Sequence, residues 1–219
     1  LGESSGDHAY DVAGGWTGYH RGVQLDSEGA IVRDEDSAAY FDGQDDYVDL
    51  RDVDLQGNAL TIAAWVWPQD YGNLTNHDGR IVSKSESVLK DEHYWMLSTC
   101  RVGSQTRLRF RLRTNGSVQE VLAWTGDVEE RQWTFAVAVY DGSQMRLYQD
   151  GILVGSCAKS GSINENDRIE SWIGGNASHR QDRPWWGRID EVAFFDYALN
   201  GAQIQALYKA RYPELTLLS

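Results

Sequence analysis

The sequence predicts an all-β protein, a two-sheet antiparallel β-sandwich with one short C-terminal helix. Three observations point there. Twelve short β-type runs follow one another from Ser37 onward, Asx-Gly pairs punctuate them, and no strand alternates with a helix as a parallel sheet would require.

The first 36 residues are Gly- and Asp-rich, with Trp16, Tyr19 and Val23 as scattered apolar anchors, and read as an irregular arm leading into one strand. The sandwich core, 37–196, is built from runs at 39–41, 47–50, 60–67, 80–84, 93–100, 107–113, 117–123, 132–140, 144–149, 152–157, 168–173 and 188–195. Asp42-Gly43, Asn115-Gly116, Asp141-Gly142 and Asp150-Gly151 allow positive φ at low cost and close tight hairpins. In 107–113 the apolar residues alternate with four arginines, Arg107, Arg109, Arg111 and Arg113, which reads as a core face backed by a solvated face. The run 133–140 is nearly continuously apolar, as in a strand buried on both sides. The helix, 200–209, has Asn200 as cap, Gln203 three residues on, and Ile204, Leu207 and Tyr208 as its apolar stripe. Residues 1–219 therefore read as one domain, a size all-β sandwiches reach as single units.

Charge narrows the partners. Twenty basic against 33 acidic residues leave −13, a balance that repels phosphate backbones and anionic membrane surfaces and suits divalent cations. No apolar run approaches the ~20 residues of a membrane span. The chain opens at Leu1 without a Met or a signal peptide, so a larger parent polypeptide is expected. Nine Trp and eleven Tyr against five Phe favour surfaces that grip with a flat ring and a polar edge. Cys100 and Cys157 each end a strand; buried thiols and a disulfide both remain open.

Six strings carry a resemblance: Ala39-Tyr40-Phe41-Asp42-Gly43-Gln44-Asp45-Asp46-Tyr47-Val48, Leu60-Thr61-Ile62-Ala63-Ala64-Trp65-Val66, Arg80-Ile81-Val82-Ser83-Lys84, Gln132-Trp133-Thr134-Phe135, Leu147-Tyr148-Gln149-Asp150-Gly151, and Gly187-Arg188-Ile189-Asp190-Glu191-Val192 through Ala198-Leu199-Asn200. Their order, from about residue 39 to 208, resembles laminin-G-like, concanavalin A-like jelly-roll domains, and the lead-in to Asp11 resembles bacterial members. The resemblance implies a jelly roll; that fold hosts lectins, adhesion modules, hydrolases and lyases.

Glycoside hydrolysis needs two carboxylates flanking the sugar, about 5 Å apart for retention and up to ~9 Å for inversion. Hydrolases of this fold carry them as Glu-x-Asp-x-x-Glu on one strand; no strand here does, and Asp127-Val128-Glu129-Glu130 sits in a turn. A Gly-x-Ser-x-Gly elbow, a zinc motif and the alginate-lyase strings are also missing. Calcium takes six to eight hard oxygens from loops. Asp42, Asp45, Asp46 and Asp49 share a turn; the resemblance implies that Asp190 joins the N-terminal arm around a structural ion, with Asp11 the arm's candidate and Asp42 a further one. The rival for Asp11 and Asp42 is an ordinary Asx turn. The resemblance to pentraxins implies that the loop with Asp91 and Glu92 and the loop from Asn176 to Asp182 hold a ligand-bearing calcium, against an exposed polar rim. For a sugar ring the candidates are Trp185 or Trp186 as exposed platform, with Asn176, Arg180 and Asp182 from the same loop and Tyr71 and Tyr94 nearby.

The expectation is a non-catalytic carbohydrate-binding or adhesion module of a secreted or cell-surface protein, with structural calcium and a glycan partner. Two alternatives stay open: a protein-interaction or spacer domain, and a divergent glycoside hydrolase or polysaccharide lyase.

Overall fold

The computed structural model describes residues 1–72, 74–176 and 182–212. Its strands are β1 His8–Tyr10, β2 Thr17–Arg21, β3 Gln24–Glu28, β4 Ser37–Asp42, β5 Tyr47–Asp49, β6 Leu60–Pro68, β7 Arg80–Ser85, β8 His93–Val102, β9 Gln105–Thr114, β10 Ser117–Leu122, β11 Thr134–Tyr140, β12 Gln144–Gln149, β13 Ile152–Ala158, β14 Ser171–Ile173 and β15 Trp186–Phe195, followed by helix α1, Gly201–Lys209. They form two antiparallel sheets: a first, eight-stranded, ordered β1-β2-β5-β14-β7-β8-β9-β10, and a second, seven-stranded, ordered β13-β12-β11-β6-β15-β4-β3. The jelly-roll sandwich read from the sequence is the fold.

All twelve runs are strands, and the arm adds three more, β1, β2 and β3, where one was expected. β1 and β2 pair as a hairpin and β2 extends the first sheet beside β5. Only one face of these edge strands meets the core, so they need few apolar residues, and Gly and Asp hide their alternation. Between the layers, Val48, Ile173, Ile81, Leu97 and Phe110 of the first sheet meet Phe41, Ile62, Ala64, Val66, Ala136, Ala138 and Ile189 of the second. The other side of β11, Phe135, Val137 and Val139, joins Trp65, Leu199 and Ile204 in a second apolar cluster. β11 is thus buried on both sides, as its continuous pattern indicated.

The outer cluster belongs to α1. Asn200 accepts from the Gln203 N–H and the Gln203 side chain accepts from the Asn200 N–H, the reciprocal capping box. Ile204 is fully buried and Tyr208 stacks on Trp65 at 5.7 Å, while Leu207 faces outward, so the apolar stripe is narrower than its sequence. The helix seals the outer face of the second sheet; among the described residues no α-helix covers the first.

Asn115-Gly116 and Asp150-Gly151 are two-residue hairpin turns with both residues at positive φ (47° and 79°; 53° and 79°). Asp42-Gly43 is not a hairpin: β4 and β5 lie in different sheets, so this turn carries the chain from one layer to the other. Cys100 and Cys157 are free thiols on strands of different sheets, and burial raises both above the usual thiol range.

Replacing Asn200 with Ala removes the cap while leaving the apolar face intact. The expected loss is about 1 kcal/mol in urea unfolding, with an unchanged denaturant slope.

Candidate functional site

Alternation on the edge of the first sheet decides what it presents. Tyr19 stands beside Asp49, Asp49 beside Trp172, and Arg21 beside Tyr47 across β2, β5 and β14. Since Val48 and Ile173 point into the core, these five side chains share the outer face. Tyr47 stacks on Trp172 with ring centroids 3.8 Å apart, and the Trp172 indole N–H donates to Glu170 at 3.1 Å. The guanidinium of Arg51 lies 4.4 Å over the Tyr19 ring and that of Arg21 5.5 Å. Arg51 is fixed from below, its N–H donating to Asp49 at 2.8 Å and its Nε 3.8 Å from the same carboxylate.

Two recesses open on this face, of about 500 and 510 Å³. The first lies among Thr17, Tyr19, Arg51, Asp52 and the segment 167–170; the second among Arg21, Asp45, Tyr47 and Asp49; Glu170 borders both. Together they form a groove in which Tyr19 is the half-exposed ring, Tyr47 and Trp172 lie buried beneath (6% and 3% exposed), and carboxylates and guanidiniums make the rim, groups that a sugar's apolar face and paired hydroxyls can use. Sequence reasoning placed Tyr19 in an irregular arm and missed the groove; the signal was a tyrosine two residues from an arginine in what proves to be a strand.

The expected Trp platform is not assembled as read. Trp185 is a core residue, 1% exposed, because β15 begins at Trp186 and the adjacent rings point to opposite sides. Trp186 is half-buried, lies against Gly43 and donates its indole N–H to the Tyr40 hydroxyl at 3.0 Å. Tyr71 is buried and stacked on His77. Tyr94 is buried as well, its hydroxyl bonded to Glu86 and Asn166. Asn176 has no exposed surface and accepts from Arg80 Nε and Ser85 Oγ. Asp182 is half-buried, and Arg180 lies outside the described residues. Asp91 is exposed, its carbonyl accepting from Arg113, and Glu92 accepts from Ser87. Neither belongs to a carboxylate cluster among the described residues.

The acidic candidates regroup. Asp190 sits with Asp36 and Glu191, their ligand atoms within 4.8 Å of one another, while Asp42 sits with Asp45 and Asp46. Asp11 accepts the N–H groups of Ala13 and Gly14 and closes its own Asx turn. Asp190 is 2% exposed and accepts from the Ala30 N–H at 2.7 Å and the Glu191 N–H at 2.9 Å. Burial raises its pKa; the Glu191 carboxyl is raised by desolvation and by the charges of Asp190 and Asp36. The acids of the 127–130 turn serve the backbone, Asp127 accepting from the Thr106 N–H and Glu130 from the Tyr71 N–H.

The arginine face of β9 is not solvated along its length. Arg109 and Arg111 are each 9% exposed. Asp78, in the connection before β7, takes Arg80 and Arg109 on one oxygen and Arg183 at 3.1 Å on the other; Glu120 takes Arg111 at 2.6 Å. Counter-charges supplied from outside β9 made this burial possible, and strand periodicity carries no trace of them.

Over residues 42–205 the chain matches the family model of the concanavalin A-like lectin/glucanases superfamily. No curated protein matches it. Among solved structures it is similar to domain 4 of AbnA, a GH43 extracellular arabinanase from Geobacillus stearothermophilus in complex with arabinotriose (20% identity, 90% of this chain and 91% of that one, TM-score 0.64). It is similar also to a heptameric SAP-like pentraxin from Limulus polyphemus (17% identity, 77% and 80%, TM-score 0.59). A third is the ligand-binding domain of botulinum neurotoxin serotype D in complex with N-acetylneuraminic acid (15% identity, 91% and 47%, TM-score 0.65). At these identities the likeness is one of fold.

Asp46 supplies a pH test. Burial, with the charges of Asp42 and Asp45, pushes its pKa from 3.8 up to about 6. The fold therefore favours the protonated form, and the stability this group contributes is full below 3.8 and lost as pH rises through about 6. Asp46→Asn, melted in chelator, is expected to exceed the parent in stability near neutral pH, the gap closing as pH falls through that window.

Proposed function

Because the chain belongs to the concanavalin A-like lectin/glucanases superfamily, we propose that it is a non-catalytic carbohydrate-binding module of a secreted or cell-surface protein. The groove on the outer face of the first sheet carries this reading. Tyr19, backed by the buried Tyr47–Trp172 stack, offers the apolar surface, and Arg51 and Glu170 offer hydrogen-bonding groups along the recesses. Its rim holds Arg21, Arg51 and Arg168 against Asp45, Asp49, Asp52, Asp167 and Glu170, an acidic balance that suits a neutral glycan. The fold neighbours support it: one carries arabinotriose and another N-acetylneuraminic acid, and the first is a domain of a larger extracellular enzyme. The non-catalytic part is supported by the fate of the acids near β7 to β10, where Asp78 and Glu120 are bound to guanidiniums and not poised across an open cleft. Among the described residues no helix is long and apolar enough to cross a membrane.

Titration against the hits of a glycan array tests the groove. Tyr19→Ala and Arg51→Ala are each expected to weaken binding about tenfold or more, through lost ring contact and a lost charged donor, with the fold intact. Affinity that survives both and falls with Trp186→Ala would move the site to the β15 rim.

We also propose a structural calcium ion at Asp36, Asp190 and Glu191, where Asp11 and Asp42 take no part. The residues fit it: three hard-oxygen carboxylates converge, one of them buried, and among the described residues none is in an ion pair with Lys, Arg or His. When bound, the ion would neutralise the mutual repulsion that raises Glu191 and would tie the segment around Asp36 to β15. Calcium at about a hundred times its dissociation constant is expected to stabilise the fold by about 2.7 kcal/mol. Asp36→Asn, at an exposed position, should abolish that increment in thermal melts, and equal melts with calcium and with chelator would refute the site.

A further inference from the structure

The outer face of β7, β8 and β9 holds more positive charge than it neutralises. Four guanidiniums, Arg80, Arg109, Arg111 and Arg183, meet two carboxylates, Asp78 and Glu120, among the described residues. Arg80 has no exposed surface; its Nη1 goes to Asp78 and its Nε to Asn176 at 3.3 Å, but its Nη2 has no hydrogen-bond partner among the described residues. His93, equally buried, sets its Nδ1 against the Leu89 carbonyl at 2.8 Å and 3.5 Å from Arg111 Nη1, and among the described residues its Nε2 has no partner either. Burial and the charges of Arg80, Arg111 and Arg109 hold the His93 pKa down to about 3, and Arg80 is itself lowered to about 9. These groups therefore feel one another at close range. A buried guanidinium with an unused donor is costly, even when paired, until an acceptor completes it.

The margin is formed by the Arg183 and Glu120 side chains, 25% and 28% exposed, and an anion reaches Arg80 by displacing them. The long-range field sets the size of the visitor: a chain at −13 repels a polyanion, so the local surplus selects one anionic group on an otherwise neutral carrier. We propose that this cluster binds a single sugar oxyanion, the carboxylate of a uronic acid or a sulfate ester, through the unused Arg80 donor and the Arg111 guanidinium. The site lies on β7 to β9, apart from the groove of β2, β5 and β14, and does not depend on that groove binding a neutral glycan.

Calorimetric titration at constant ionic strength with galacturonate, galactose 6-sulfate, galactose and inorganic sulfate tests it. Saturable binding of either acidic sugar, without binding of galactose, supports the site, and the sugar that binds names the anion. Arg111→Gln and Arg183→Gln should each weaken that binding about tenfold, while Tyr19→Ala leaves it unchanged. Both arginine variants are used because Arg183, partly exposed, keeps the test open if Arg111→Gln does not fold. Acidic sugars that bind no better than galactose, binding of inorganic sulfate alone, or affinity unaffected by both arginine variants would overturn the proposal.

Discussion

A strand that gives one face to the core must present the other, and the fate of that second face organises this molecule. In the second sheet it is consumed: Phe135, Val137 and Val139 pack under α1 with Trp65 and Ile204. In the first it stays with polar and aromatic groups that, among the described residues, have no α-helix above them. Two layers built from the same alternation thus differ in one respect, and the functional reading follows from it.

The outer face of the first sheet is divided along its length. At β7 to β9 it is drawn inward by Asp78, a buried carboxylate shared by three guanidiniums that joins the connection before β7 to β9 and to the segment before β15. Each arginine alone would resist burial; with counter-charges and the hydrogen bonds that Arg109 gives to Ser98 and Arg80 gives to Asn176, those two pack almost without exposed surface. At β2, β5 and β14 the face remains open, because the Tyr47–Trp172 stack fills the floor and Arg51 stands over Tyr19 without closing the recess. One end is a charge cluster and the other a groove, so they suit different chemistry.

Most of the fold was legible in the sequence for local reasons. Asn115-Gly116 and Asp150-Gly151 determine their turns by φ alone, and the Asn200–Gln203 box starts the helix by itself. β11 declared its double burial through continuous small and branched residues. The arm was less legible because β2 and β3 take partners across long connections, Tyr19 beside Asp49 and Gln24 beside Tyr40. Long-range pairing likewise explains why Asp42-Gly43, a hairpin signal in isolation, crosses between sheets. The site was least legible of all. Trp185 and Trp186 look equivalent in sequence, yet the start of β15 sends one into the core. The burial of Arg109 depends on Asp78, 31 residues away, and Asp190 meets Asp36 across 154 positions. Groups brought together by the fold leave no periodic signature.

The account turns on where sugar sits, and a crystal structure of the complex with an oligosaccharide hit measures that directly. The expected result is a pyranose or furanose ring lying on the outer face of β2, β5 and β14, in contact with Tyr19 and with hydroxyls paired to Arg51 or Glu170. A ring seated instead against Trp186 at the β15 rim, with the groove occupied by water, would contradict it.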